Sequence, residues 1–120
     1  MKKQALLCAF LLAVSMAAVS TSFAGKQDFT LVNRTGATLY NLYISASSTD
    51  DWEEDVLDDQ VLSSGSRRTI RFSDYETRRY WDIKVVDAYG NSVVLKRVDL
   101  LRFSTITVYR YNGRIRANFR

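Results

Sequence analysis

The residues best suited to chemistry are acids. Asp50, Asp51, Glu53, Glu54, Asp55, Asp58 and Asp59 place seven of the thirteen carboxylates within ten positions. A hard cation such as calcium takes about six to eight oxygen ligands, which a loop of carboxylates can supply. The candidate metal ligands are therefore Asp50, Asp51, Glu53 and Asp55, with Asp74 or Glu76 of a neighbouring loop completing the shell. The calcium-loop spacing is not met, because Val56 stands where its glycine belongs. The competing reading is a solvated, self-repelling loop that binds nothing. Paired carboxylates also cleave glycosides when held about 5–9.5 Å apart. Nothing here builds the cleft that such a pair needs, so a glycoside-cleaving enzyme is the least supported reading.

Two groups of aromatic residues are the other candidates. Trp52 sits among the acids. Burying a tryptophan removes on the order of 150–250 Å² from water, so the expectation is that it plugs one end of the fold, and the alternative is that it is exposed for binding. Near the C-terminus, Tyr109, Tyr111, Arg114 and Arg116 form a Tyr/Arg group. Cross-strand Tyr109/Arg116 and Tyr111/Arg114 pairs are predicted to stack as cation–π contacts. Tyrosine with arginine is a composition that binding surfaces favour. After Asp99 no acid follows, while Arg102, Arg110, Arg114, Arg116 and Arg120 do. The alternative is that these pairs only protect a sheet face and its edge.

The elements that must position these residues are strands, since the hydrophobic period is two almost everywhere. Phe29 to Leu31 opens one strand and Leu39 to Ser45 another, rich in β-branched and aromatic types. Arg67 to Phe72 places Ile70 and Phe72 on one face. Trp81, Ile83 and Val85 alternate with Asp82 and Lys84, and Ser92 to Val98 returns after a loop. Thr105 to Tyr111 and Arg114 to Phe119 flank Asn112-Gly113, the preferred pair for a type I′ hairpin. That turn predicts the register Tyr111/Arg114, Tyr109/Arg116 and Val108/Ala117. Ile106, Val108, Ile115, Ala117 and Phe119 then face the core. The expected fold is all-β: one antiparallel β-sandwich of about seven or eight strands. Asp51 to Leu57 is read as at most one helical turn.

The N-terminus reads as a leader. Met1-Lys2-Lys3 is followed by an apolar run from Ala5 to Val19 and a small-residue site at Ser22 and Ala24. This is the pattern of a secretory signal peptide over residues 1–24, cleaved after Ala24. The run is short of the roughly 20 apolar residues a membrane span needs, and Leu7 before Cys8 is not the small residue that a lipoprotein signal uses. The domain is then 25–120, 96 residues with 15 basic and 13 acidic side chains. It holds no histidine and no cysteine, which excludes disulfides, thiol nucleophiles, the usual triads and most zinc sites. Twelve arginines stand against three lysines, and arginine's planar fork suits carboxylate and phosphate partners.

Asn33-Arg34-Thr35-Gly36, Leu42-Tyr43-Ile44-Ser45, Asp51-Trp52, Asp55-Val56-Leu57, Val61-Leu62 with Gly65, Trp81-Asp82-Ile83-Lys84-Val85, Gly90 and Asp99-Leu100 together resemble a family of small exported bacterial β-sandwich proteins. The resemblance covers roughly Phe29 to Val108. It implies the fold and no particular activity. Glu53 and Asp58 stand where that family commonly has glycine. The cysteine pair of many members would fall near Tyr80 and Leu101, so no disulfide carries over.

The expected function is that of a non-enzymatic interaction module, periplasmic or alternatively extracellular. It would engage another envelope protein or an anionic envelope component, through the loop around Trp52 or the Tyr/Arg face, and no nucleic acid. The alternatives are a calcium-stabilised structural domain and an inhibitor or immunity-type protein acting through the acidic loop. No cofactor beyond calcium is expected.

Overall fold

The computed structural model describes residues 25–52 and 55–120, so the predicted leader and Glu53 and Glu54 lie outside the described residues. Seven strands follow: β1 (Phe29–Arg34), β2 (Leu39–Ala46), β3 (Arg67–Ile70), β4 (Tyr80–Asp87), β5 (Ser92–Asp99), β6 (Thr105–Tyr111) and β7 (Arg114–Phe119). They form a four-stranded sheet ordered β3-β1-β6-β7 and a three-stranded sheet ordered β2-β4-β5. The two sheets bury one core between them, the β-sandwich that the alternation predicts. Ile83, Val85, Ile106 and Val108 are completely enclosed, as are Leu31 and Leu42. No helix occurs among the described residues, and the candidate helical turn at 51–57 is an irregular loop closing in a turn at 56–59.

The final hairpin follows its turn chemistry. Asn112 and Gly113 have φ of 51° and 76°, as a type I′ turn requires, and the pairs are Tyr111/Arg114, Tyr109/Arg116 and Val108/Ala117. Ile115 is buried, but Phe119 is 37% exposed. It is the last residue of β7, with its ring 5.6 Å from that of Phe103.

One pairing departs from the antiparallel expectation: β1 and β6 run parallel, with Thr30 opposite Thr105 and Arg34 opposite Tyr109. Adjacent strands joined by tight turns must be antiparallel, but β1 and β6 are far apart in sequence and are free of that constraint. The chain leaves β1 through an arch built by Asn33, which is fully buried. Its Nδ2 donates to the carbonyls of Ala37 at 2.8 Å and Leu62 at 2.9 Å. Its Oδ1 accepts from the Thr35 N–H at 3.0 Å and the Thr35 hydroxyl at 2.7 Å. Asn33 and Thr35 are therefore structural. A side-chain amide satisfies the polar backbone groups that crossing between sheets leaves bare.

Candidate functional site

The acidic loop is disarmed at its centre. Oδ1 of Asp55 accepts from the backbone N–H groups of Leu42 at 2.7 Å and Leu57 at 3.0 Å, while Oδ2 accepts from Asn41 Nδ2 at 2.9 Å. The Val56 N–H donates to the Leu42 carbonyl at 2.7 Å, and Leu62 exchanges backbone bonds with Leu39. The stretch 55–62 thus covers the outer edge of β2, which would otherwise offer unpaired backbone to another chain. Asp50, Asp51, Asp58 and Asp59 are exposed, and Glu53 is outside the described residues. Among the described residues no three acids converge as metal ligands.

Trp52 is not the plug. It is half-buried and rests against the ring of Tyr43 at 6.4 Å. Leu57, 1% exposed, fills the core position expected of it. The reason is alternation: Tyr43 lies between the buried Leu42 and Ile44 and so points away from the core, taking Trp52 with it.

Most remaining acids hold arginines or backbone in place. Asp87, whose side chain is fully enclosed, receives Arg110 at 2.8 Å, together with the N–H groups of Tyr89 at 2.9 Å and Asn91 at 2.8 Å. Burial pushes its carboxyl up, but Arg110 and the Asn91 and Tyr89 donors outweigh that and hold it below the usual carboxylate range. Arg110 pairs across from Ile115 on the core side of β6, so this ion pair ties one sheet to the other. Glu76 accepts two guanidinium bonds from Arg78, both at 2.9 Å, and Asp99 accepts from Arg79 at 2.9 Å.

The outer face of the four-stranded sheet has no such partners. Strand register brings Arg34, Tyr109 and Arg116 into one row across β1, β6 and β7, and places Arg67 beside Val32 and Asn118 beside Thr107. Sheet twist folds this face into an open groove of about 690 Å³, lined by Arg34, Arg67, Tyr109, Arg120 and threonines of β6, without an acidic side chain. Arg114 and Arg116 extend the charge along β7. All five arginines are exposed. Among the described residues none lies within ion-pair distance of a carboxylate.

Tyr109, Tyr111, Arg114 and Arg116 are therefore brought together in the predicted register, but among the described residues neither expected stack forms, Tyr109/Arg116 or Tyr111/Arg114. The guanidinium of Arg116 stacks on Tyr111, 5.5 Å from the ring centroid, rather than on Tyr109 directly opposite. Right-handed twist moves a long side chain toward its diagonal neighbour. Arg34 and Arg67 were missed by sequence reasoning, whereas Arg120 continues the hairpin's own strand after Phe119. Only the parallel β1–β6 pairing and the flanking β3 bring Arg34 and Arg67 to the hairpin, and no local spacing signals that.

No family model matches the chain, and no curated protein matches it. A solved structure described as "NMR structure of the protein from Eubacterium rectale" is similar, with a TM-score of 0.55 at 12% identity over 83% of this chain and 91% of that chain. At that identity the likeness speaks for the two-layer all-β fold and nothing further.

Proposed function

We propose that the protein is a non-enzymatic binding module, exported to the periplasm or beyond, that holds an anionic partner in the arginine groove of its four-stranded sheet. The partner is another envelope protein or an envelope polymer carrying successive carboxylates or phosphates. One observation carries the reading. Among the described residues, five arginines on this face have no carboxylate within ion-pair distance, whereas Arg71, Arg78, Arg79 and Arg110 each have a carboxylate partner. Like charges on neighbouring strands repel, and a polyanion removes that repulsion while matching the planar donor forks.

The acids speak against acid–base catalysis. Burial raises the carboxyls of Glu76, Asp82 and Asp87, but Arg78, the Arg97 N–H with Lys96, and Arg110 respectively outweigh it, and Asp99 is lowered chiefly by Arg79, so all four are held ionised. Among the described acids only Asp28 is raised, to about 6, by burial, and its Oδ1 is occupied by the Phe72 N–H at 2.6 Å.

The test is retention of the purified protein on an envelope extract across a salt series. The double variant R34Q/R116Q should lose most retention near 0.1 M salt, and the wild type should lose it as salt rises. Equal retention of both proteins at every salt concentration would remove the groove from the reading.

A further inference from the structure

A second cluster of guanidiniums stands apart from the groove, on the three-stranded sheet. Where β4 begins and β5 ends, Ser47, Ser48, Arg78, Arg79, Tyr80 and Arg97 line an open cleft of about 190 Å³. It is too small for the ligands of typical pockets, which occupy roughly 300–1,000 Å³, and large enough for one tetrahedral oxyanion with a short substituent.

The cleft is built. The β4–β5 ladder slips at Asp82, and opposite that slip Arg97 has φ of 52°. A left-handed backbone is strained for a non-glycine residue, and glycine would adopt it freely. The strain is held by Asp82, which is 2% exposed. Its Oδ1 accepts from the Arg97 N–H at 3.0 Å and the Ser47 hydroxyl at 2.7 Å, and its Oδ2 from Lys96 Nζ at 2.8 Å. The Ser47 N–H also donates to the Tyr80 carbonyl at 3.0 Å, fixing the 47–48 turn against β4.

Three arginines of the lining are held against aromatic rings of this frame. Arg97 stacks on Tyr80 at 4.4 Å and Arg79 approaches the same ring at 5.9 Å. Arg78 lies over Trp81 at 5.3 Å. Arg78 gives Nε and one terminal nitrogen to Glu76, and Arg79 gives Nε to Asp99, so both planes are locked while other N–H donors stay unused. Arg97 has no carboxylate partner among the described residues. Locked planes around one open space bind a tetrahedral anion without first losing side-chain entropy.

We infer that this cleft is a phosphate-monoester site, with Arg97 as its principal charge, Arg79 and Arg78 as flanking donors and the Ser48 hydroxyl at its rim. It is separate from the groove and does not depend on the groove's role.

The experiment is a ¹⁵N–¹H NMR titration of the protein with inorganic phosphate, against sodium chloride at equal ionic strength. Saturable shifts at Ser48, Tyr80 and Arg97 with phosphate, absent with chloride, are expected. Arg97→Asn keeps a residue that tolerates the left-handed backbone, and Arg79→Gln leaves the strained position untouched. Each should weaken phosphate binding at least about tenfold, the loss of one charge-assisted contact, while R34Q/R116Q leaves it unchanged. Glycerol 3-phosphate and vesicles containing phosphatidic acid then distinguish a soluble ester from a lipid headgroup as the natural source. Equal response to chloride and phosphate, unaltered binding by folded R97N and R79Q, or shifts confined to the groove would each overturn the assignment.

Discussion

Replacing Asp87 by alanine should cost far more than its place at the last position of β4 suggests. The substitution removes acceptors for Tyr89 N–H, Asn91 N–H, Asn91 Nδ2 and the Arg110 guanidinium. It also leaves Arg110, only 28% exposed, beside an apolar core. Breaking a buried ion pair by deleting one partner costs about 3–5 kcal/mol. Arg110 can recover some water, so the lower end applies, about 3 kcal/mol. For a domain near one hundred residues this lowers Tm by roughly 15 °C, measured by circular dichroism. Replacing Arg110 as well, in D87A/R110M, removes both charges and should restore part of the loss, giving a coupling energy of about 2 kcal/mol. The native Asp87 carboxyl lies below its unfolded value of about 3.9. Its contribution is therefore complete above roughly pH 4 and disappears as pH falls through the lower native value. The acid limb of the D87A stability profile should be correspondingly flatter. A D87A cost under about 1 kcal/mol, or single-mutant effects that add within about 0.5 kcal/mol, would refute the inter-sheet strut.

Asp28 carries the opposite sign. With its native pKa raised to about 6 by burial, the folded state holds a proton that the unfolded state has lost, so stability falls as pH rises from about 4 to 6. Asp28→Asn should abolish that slope and raise stability at pH 7.5 by about 1–3 kcal/mol; an unchanged slope in chemical denaturation would contradict this. Asp55→Ala should cost about 1–2 kcal/mol and uncover the edge of β2, so light scattering should detect concentration-dependent association. A variant that stays monomeric and melts with the wild type would show that the loop does not guard that edge.

The parts of the fold visible in the sequence are those fixed by neighbours. Asn112-Gly113 dictates a turn, the turn dictates the register, and the register places Tyr109 and Arg116 on one face. Trp81, Ile83 and Val85 announce a half-buried strand by alternation alone, and all three are enclosed. What stayed hidden depends on elements far apart in the chain. Arg110 looks like one more basic residue of the hairpin until Asp87 arrives from the other sheet to receive it. Asp55 looks like a metal ligand until the bare edge of β2 claims its oxygens. The groove needs Arg34 and Arg67, which only strand order delivers. Trp52 was misplaced because its size argued for the core, whereas Leu57 already filled it.

The parallel contact between β1 and β6 also governs how the molecule can assemble. β1 has β3 on one side and β6 on the other, so its second side stays open until the chain from Thr105 onward is in place. Contacts that wait on distant segments slow folding, because loop-closure entropy is lost before the pairing returns any stability. A nascent or C-terminally clipped chain would expose Leu31 and its ladder for as long as Ile106 is absent. The late-arriving hairpin is then both the closing piece of the barrier against self-association and the element that completes the arginine surface, so the proposed groove and protection from aggregation would emerge in the same step.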